Sequence, residues 1–412
     1  MPVTASAGSP PLETLVARHQ TGRALEQGFY LSQEVFEADV EAIFMQEWHF
    51  AGLAQEIPET GDYVLFEMLA ESVILVRGAD DVIRALANVC RHRGSRVCLE
   101  PAGNTKRFTC PYHAWIYGLD GQLLNARLMG DDLPKADLGL KPVAVEVFQG
   151  MIFVSFAQSP TDFSALRAEI GPMLEPFGLD RTRIAHRACY PVAANWKLLV
   201  ENYNECYHCA TAHPEFKRMH PTHLEADRVE PFNDAMAPRA KELGISTAVV
   251  DRVGPLGLPG AVDYTLSRHA LYDGYVTGSE DGKPLAPLLG QIGGYDQAAS
   301  DLYLGMLNPV LIYNDHAVIY RFIPVNRDRS VQEIIWLVRD DAEPGRDYDP
   351  DRLTWLWDVT TLADKLIIEK NQEGVASRYY TPGPLAGMEA YTQRFIDYYL
   401  ARYGRAASPA PA

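Results

Sequence analysis

The spacing of hydrophobic and polar positions changes along the chain, and the changes divide it. Residues 1–33 hold one amphipathic stretch, Leu12 to Leu25, among prolines and glycines, and Ser32-Gln33-Glu34-Val35 reads as a helix start that runs toward Trp48. From Gly61 to about Phe156 the apolar residues gather in short β-rich runs at residues 63–66, 72–76, 83–87 and 151–154. Turn signals at Gly78-Ala79-Asp80-Asp81 and Asp120-Gly121 separate them, as expected of a small antiparallel unit. Beyond Gln158-Ser159-Pro160 the elements are mixed. One long helix is expected from Asn195 through His208, and residues 218–300 read as irregular, with Pro/Gly-rich residues 254–260 and Gly293-Gly294 suited to lids or substrate walls. Strand-like runs at 302–312, 317–323 and 331–338 follow, then a linker from Asp340 to Pro350 and a helix from Asp351 past Glu369. The pattern predicts an α+β protein with antiparallel sheets: an N-terminal arm and helix over 1–44, a β domain over 45–160 and a larger domain over 161–412.

Composition narrows the function classes. With 412 residues, 47% apolar and 22% charged, the chain is ordinary globular material for two domains. Its 37 Lys+Arg against 54 Asp+Glu give a net charge of −17, which excludes nucleic acid and anionic membrane surfaces as partners. No run approaches the ~20 apolar residues of a membrane span, and the start Met1-Pro2-Val3-Thr4-Ala5 lacks signal-peptide order, so a cytoplasmic protein is expected. There the six cysteines should be reduced, as metal ligands or core thiols rather than disulfides, with Cys98 a core thiol. Residues 406–412 read as a frayed tail, and no internal repeat is visible.

Two clusters carry chemistry. Cys90-Arg91-His92 is followed after seventeen residues by Cys110-Pro111-Tyr112-His113. Two Cys and two His, one pair from each of two loops, suit a binuclear iron–sulfur cluster with thiolates on one iron and imidazoles on the other. Structural zinc accepts the same four ligands, and spacing alone leaves both open. The second cluster is Glu205-Cys206-Tyr207-His208 followed by His213-Pro214. Five residues along an ideal helix turn the side chain by about 140°, so both imidazoles face one metal only if the helix ends or bulges between them. Pro214 supplies that break, because the residue before a proline avoids the α region. Two imidazoles and one carboxylate make the facial triad of mononuclear non-haem Fe(II).

The full strings, Cys90-Arg91-His92-Arg93-Gly94 and Cys110-Pro111-Tyr112-His113-Ala114-Trp115 with Tyr117-Gly118-Leu119-Asp120-Gly121, resemble the Rieske domain of ring-hydroxylating and related oxygenases. In those proteins Cys90, His92, Cys110 and His113 would hold the [2Fe-2S] cluster, with Pro111 and Gly94 closing the ligand loops. The late segment Asp364 to Gly374 is similar to the family's ligating helix, which points to Asp364 as third iron ligand beside His208 and His213, with Asp358 and Glu369 as fallbacks. The resemblance covers nearly the whole chain from Trp48. It implies a helix-covered antiparallel sheet of helix-grip type in the catalytic domain, a homotrimer and electron transfer between neighbouring subunits. It also implies a carboxylate bridge at Glu205, where most of the family has Asp.

Glu at that position is similar to the branch acting on quaternary ammonium compounds: glycine betaine, carnitine and, in the strongest resemblance, proline betaine (stachydrine). The expected reaction is hydroxylation of an N-methyl group with O₂, the hydroxymethyl product collapsing to formaldehyde and a tertiary amine. Aromatic-ring hydroxylation and a Rieske electron carrier without oxygenase activity are the alternatives. A cationic substrate calls for aromatic walls, for which Tyr203, Tyr207, Tyr295 and Tyr303 are candidates. No Gly-x-Gly-x-x-Gly follows a strand, so electrons are expected from a separate NAD(P)H-dependent flavin or iron–sulfur reductase.

Overall fold

The computed structural model describes residues 10–130, 132–258 and 260–405, so the first nine residues, including the start Met1 to Ala5, and the tail at 406–412 lie outside it. Two units emerge: Gln46–Pro160, and the arm up to Met45 together with the chain from Thr161 on. No helix among the described residues is long and apolar enough to cross a membrane.

The smaller unit contains β1 (Trp48–Leu53), β2 (Asp62–Met68), β3 (Glu71–Arg77), β4 (Ile83–Ala87), β5 (Ala102–Asn104), β6 (Phe108–Thr109), β7 (Ile116–Tyr117), β8 (Leu123–Asn125), β9 (Pro142–Phe148) and β10 (Met151–Ser155). Seven of them form a sheet in the order β1-β10-β9-β4-β3-β2-β5, and β6-β7-β8 form a second, small sheet. Every pairing is antiparallel. Ile74, Val76, Leu86, Phe108, Trp115 and Tyr117 bury one core together with Cys90, Cys98 and Cys110, so the cysteines of the first cluster are anchored in packed interior. Cys98 is the buried thiol the sequence suggests, and burial pushes its pKa up to about 12.

The larger unit begins with α1 (Leu12–Arg18), α2 (Gln27–Leu31) and α3 (Gln33–Asp39), the last capped by the Ser32 hydroxyl, which accepts from Val35 N. After α4 (Ser164–Leu174), a seven-stranded antiparallel sheet is assembled from β11 (Thr182–Val192), β12 (Val250–Arg252), β13 (Tyr264–Ala270), β14 (Ala298–Leu304), β15 (Pro309–Ile312), β16 (Ala317–Asn326) and β17 (Arg329–Arg339). Its order is β11-β17-β16-β15-β14-β13-β12. Around it lie α5 (Trp196–Tyr203), α6 (Cys209–Ala212), α7 (Pro214–Lys217), α8 (Ala226–Glu242), α9 (Pro350–Val375) and α10 (Ala390–Ala401). α5 packs on β16 and β17, α8 on β13 and α9 on β11, which is the helix-covered sheet the sequence suggests.

Three expectations need correction. Residues 218–300 are not irregular: α8 runs through Pro231 and Pro238, and β12, β13 and part of β14 follow. The run at 302–312 is two strands, split by a turn in which Gly305 has φ +69° and Asn308 Nδ2 donates to Leu304 O. The helix from Asn195 ends at Tyr203, well before His208. Past Asn204 the backbone N–H groups of Tyr207 and His208 donate to the Glu205 carboxylate instead of to helical carbonyls, and this local bonding competes with helix continuation.

The start of α5 is fixed from the arm. Asp39, fully buried, pairs with Lys197 and accepts from Trp196 Nε1 at 3.1 Å, Tyr399 OH at 2.9 Å and Tyr403 OH at 2.6 Å. Asn195 caps the helix by accepting from Lys197 N.

Candidate metal centres

The first cluster sits on two loops built alike. In one, Gly94 N donates to Cys90 O at 2.9 Å and Cys90 N to Ser95 O at 2.8 Å; in the other, Ala114 N donates to Cys110 O at 3.0 Å and Cys110 N to Trp115 O at 2.8 Å. Both loops turn on a left-handed residue four after the cysteine, Gly94 at φ +78° and Ala114 at φ +55°. Of the two turn formers expected from sequence, Gly94 has this role, while in the second loop Ala114 rather than Pro111 carries it. The loops bring His92 Nδ1 to 3.2 Å from His113 Nδ1, and the two thiols contact each other.

That spacing fits two imidazoles on one metal, each nitrogen about 2.1 Å away, with the thiols as a separate pair for a second. The cysteine end is buried and the histidine end faces outward, His113 being exposed. His92 stacks on Trp115 at 4.9 Å. Tyr117 OH accepts from Arg91 N at 3.0 Å and lies 3.2 Å from Cys90 Sγ. Burial raises the Cys110 thiol pKa, opposed by hydrogen bonds from the backbone N–H groups of Tyr112 and His113. Hydrogen bonds aimed at cluster sulfurs raise a reduction potential, and Tyr117 is a residue the sequence reading quotes but gives no role.

The second cluster draws on three elements. His208 lies in the turn after α5, His213 caps the end of α6 with φ −124° just before Pro214 opens α7, and Asp364 comes from mid-α9. His208 Nε2 and His213 Nε2 are 3.1 Å apart, and Asp364 Oδ1 is 3.2 and 2.9 Å from them. Three donor atoms at mutual distances near 3 Å suit a single cation bound by all of them. Burial alone would raise the Asp364 pKa, but hydrogen bonds to His208 and His213 outweigh it and hold the carboxyl below its usual range. Burial would likewise lower His208, yet bonds to Asp364 and Glu205 lift it to about 9. His208 Nδ1–H donates to Glu205 Oε1, which leaves Nε2 as the ligating nitrogen. His213 Nδ1 is buried without a hydrogen-bond partner, with Glu215 Oε1 3.6 Å away.

The fallback acids are engaged elsewhere. Asp358 accepts from Tyr190 OH at 2.7 Å, and Glu369 accepts from Ala193 N and pairs with Lys365. Among the aromatic candidates, Tyr203 and Tyr303 meet at 6.0 Å beside Tyr320 and Phe322, forming a wall on the sheet. Tyr295 instead leans on Asp315, and Tyr207 is 59% exposed, so neither joins that wall. The cysteines of the turn also depart from expectation: Cys206 and Cys209 form a disulfide, because the turn after α5 brings their Cα atoms to 4.9 Å.

Comparison with known proteins agrees with this geometry. Residues 47–143 match the Rieske [2Fe-2S] domain and residues 179–405 the catalytic domain of the ring-hydroxylating α-subunit. The glycine betaine monooxygenase oxygenase subunit of Pseudomonas aeruginosa is 34% identical over 92% of this chain and 89% of its own. The carnitine monooxygenase oxygenase subunit of Escherichia coli is 30% identical over 89% and 88%. The solved quaternary ammonium Rieske monooxygenase CntA shares the fold, with TM-score 0.72, 23% identity and coverage of 97% of this chain and 100% of that one. The chain therefore belongs to the ring-hydroxylating oxygenase α-subunits, in their quaternary ammonium branch, and is an oxidoreductase of the kind that carries a Rieske [2Fe-2S] cluster and a mononuclear iron.

Proposed function

We propose that this subunit hydroxylates an N-methyl group of a quaternary ammonium compound, with proline betaine as the leading substrate, and thereby demethylates it. The observation that carries the reading is the convergence of His208, His213 and Asp364, together with a wall of Tyr203, Tyr303, Tyr320 and Phe322 whose Tyr320 lies within reach of the Asp364 charge. Aromatic faces attract a cation that has no N–H to donate, each contributing roughly 0.5–2 kcal/mol. Relatives named for glycine betaine and carnitine oxidation support the substrate class. Glycine betaine is the second reading, since the relative bearing that name matches almost the full chain.

In this reading Cys90 and Cys110 hold one iron of the cluster and His92 and His113 the other, while His208, His213 and Asp364 hold the mononuclear iron. Bound, these groups supply stored electrons and the activation of O₂. The chain supplies the rest. Glu205 keeps the Nδ1 proton of His208, fixing the tautomer that presents Nε2. The tyrosine wall orients the substrate and keeps water from it. Once a hydroxyl stands on the methyl carbon, loss of its proton breaks the C–N bond to give formaldehyde and the tertiary amine.

Glu205 further serves as the bridge to His113 of a neighbouring subunit in a homotrimer. Its placement on the turn next to exposed Tyr207, and the exposed apolar residues Leu99, Tyr112 and Leu128 of the Rieske unit, support such docking. A separate NAD(P)H-dependent reductase, acting with this subunit in the cytoplasm, would deliver the electrons.

Formaldehyde release from proline betaine, glycine betaine, carnitine and an aromatic acid, measured with a matched reductase, tests the reading. Turnover of proline betaine above the others is expected; turnover of the aromatic acid alone would remove it.

A further inference from the structure

One face of the catalytic sheet is incompletely covered although it lies at the sheet's centre. Alternate residues Thr265, Ser267 and His269 of β13, Asp301 of β14 and Leu311 of β15 keep partial accessibility, whereas the intervening positions of β13 are closed. Pairing places them together: Ser267 is opposite Asp301, and Asp301 opposite Leu311. Two residues on, Tyr303 shares that face and packs against Tyr203.

Asp301 is chemically out of place there. Its Oδ1 is buried without a hydrogen-bond partner, and it has no ion-pair partner among the described residues. Of the basic residues on the paired strand, Arg268 belongs to the opposite face, where Asp296 neutralises it with two bonds of 2.6 Å, and His269, on the face of Asp301, bonds to Ser267 Oγ through Nε2 at 2.9 Å and is held toward its neutral form by burial. The Asp301 charge reaches phenols: after burial, it is the leading influence raising the pKa of Tyr203, Tyr303 and Tyr391. Burial pushes the pKa of Asp301 itself up to about 7. A buried carboxylate without a counter-charge costs stability, and a fold keeps one where a ligand supplies the missing charge.

A second unmatched group lies alongside. Tyr303 OH donates to Asn204 Oδ1 at 2.8 Å, and Asn204 Nδ2 is buried with no acceptor. An orphan anion and an orphan donor, linked through one tyrosine, are the complement of a molecule with a fixed cation and a carboxylate.

We propose that Asp301 is the counter-ion for the quaternary nitrogen and that Asn204 Nδ2 donates to the substrate carboxylate, so that the site selects zwitterionic betaines. This rests on the substrate class proposed above and makes it specific. The aromatic wall then shapes the cation's surroundings, and Asp301 sets the preference for charge over shape.

The test compares binding of proline betaine and glycine betaine with their carbon isosteres, gem-dimethylcyclopentanecarboxylate and tert-butylacetate, which keep the carboxylate and lack the cationic nitrogen, by titration calorimetry on the holoenzyme. Wild type should favour at least one betaine over its isostere by tenfold or more. Asp301→Asn should bring the two within about twofold while leaving the visible spectrum unchanged and the Tm equal or higher, since an unpaired charge has been removed. Asn204→Asp should weaken the betaines by tenfold or more and spare tetramethylammonium. If Asp301→Asn keeps the tenfold preference, or fails to fold, the counter-ion assignment falls while the proposed reaction stands on its formaldehyde assay. If wild type shows no preference for charge, both fall.

Discussion

The two metal-binding regions are built in opposite ways. The first takes its donors from two short loops of one β unit, each closed by the same pair of backbone hydrogen bonds and the same left-handed residue. The second takes its donors from a turn, a helix end and a long helix 151 residues further on. The first is therefore a local structure that its own loops determine. The second exists only when α9 is packed on the sheet beside α5, so its ligands report on the whole fold of the larger unit.

Substitutions should separate the regions. The largest effect is expected from His113→Ala, which should abolish the visible spectrum of the cluster; an unchanged spectrum would refute that ligand assignment. Asp364→Ala is its counterpart: the spectrum should persist while mononuclear iron is lost and turnover falls by about a thousandfold or more, as for removal of a group on which the chemistry depends. Glu205→Ala should retain both metals and slow single-turnover product formation by roughly a hundredfold, comparable to losing a partner of a ligating histidine; a full rate would contradict the bridge.

Smaller effects test the scaffolds. Ala114→Val places a β-branched residue at φ +55° and should cost about 1–2 kcal/mol in the Rieske unit alone, read as a lower Tm for loss of the cluster spectrum. In the larger unit, removal of the Glu201 carboxyl from water raises its pKa to about 8 from the ordinary 4.5 despite the Tyr30 hydroxyl bond. Its folded-state pKa exceeds the unfolded one, so the stability present at pH 4.5 is lost as pH rises toward 8. Glu201→Gln should flatten the fall in Tm between pH 5 and 9, and an unaltered slope would show that Glu201 does not cause it.

The same contrast explains what the sequence discloses. Cys90, His92, Cys110 and His113 are legible because loop geometry needs only neighbours in sequence. His213 is legible because Pro214 forces the local break that turns it back. Asp364 follows from resemblance, and only packing distinguishes it from Asp358 and Glu369, whose carboxylates are taken up by Tyr190 and Lys365. The end of α5 is hidden because the Glu205 side chain, rather than a proline or glycine, stops the helix. α8 is hidden by Pro231 and Pro238, which read as loop signals although tertiary packing tolerates them. Asp301 carries a faint signal, a charged residue after Ser300 in a largely apolar strand, but the sequence holds nothing that sets it apart as a ligand-binding group.

Metal and sulfide analysis of anaerobically purified protein tests the paired-centre account most directly. Three irons and two acid-labile sulfides per chain are expected, with Asp364→Ala reducing the iron to two. Zinc at Cys90, His92, Cys110 and His113, or two irons in wild type that Asp364→Ala does not change, would contradict it.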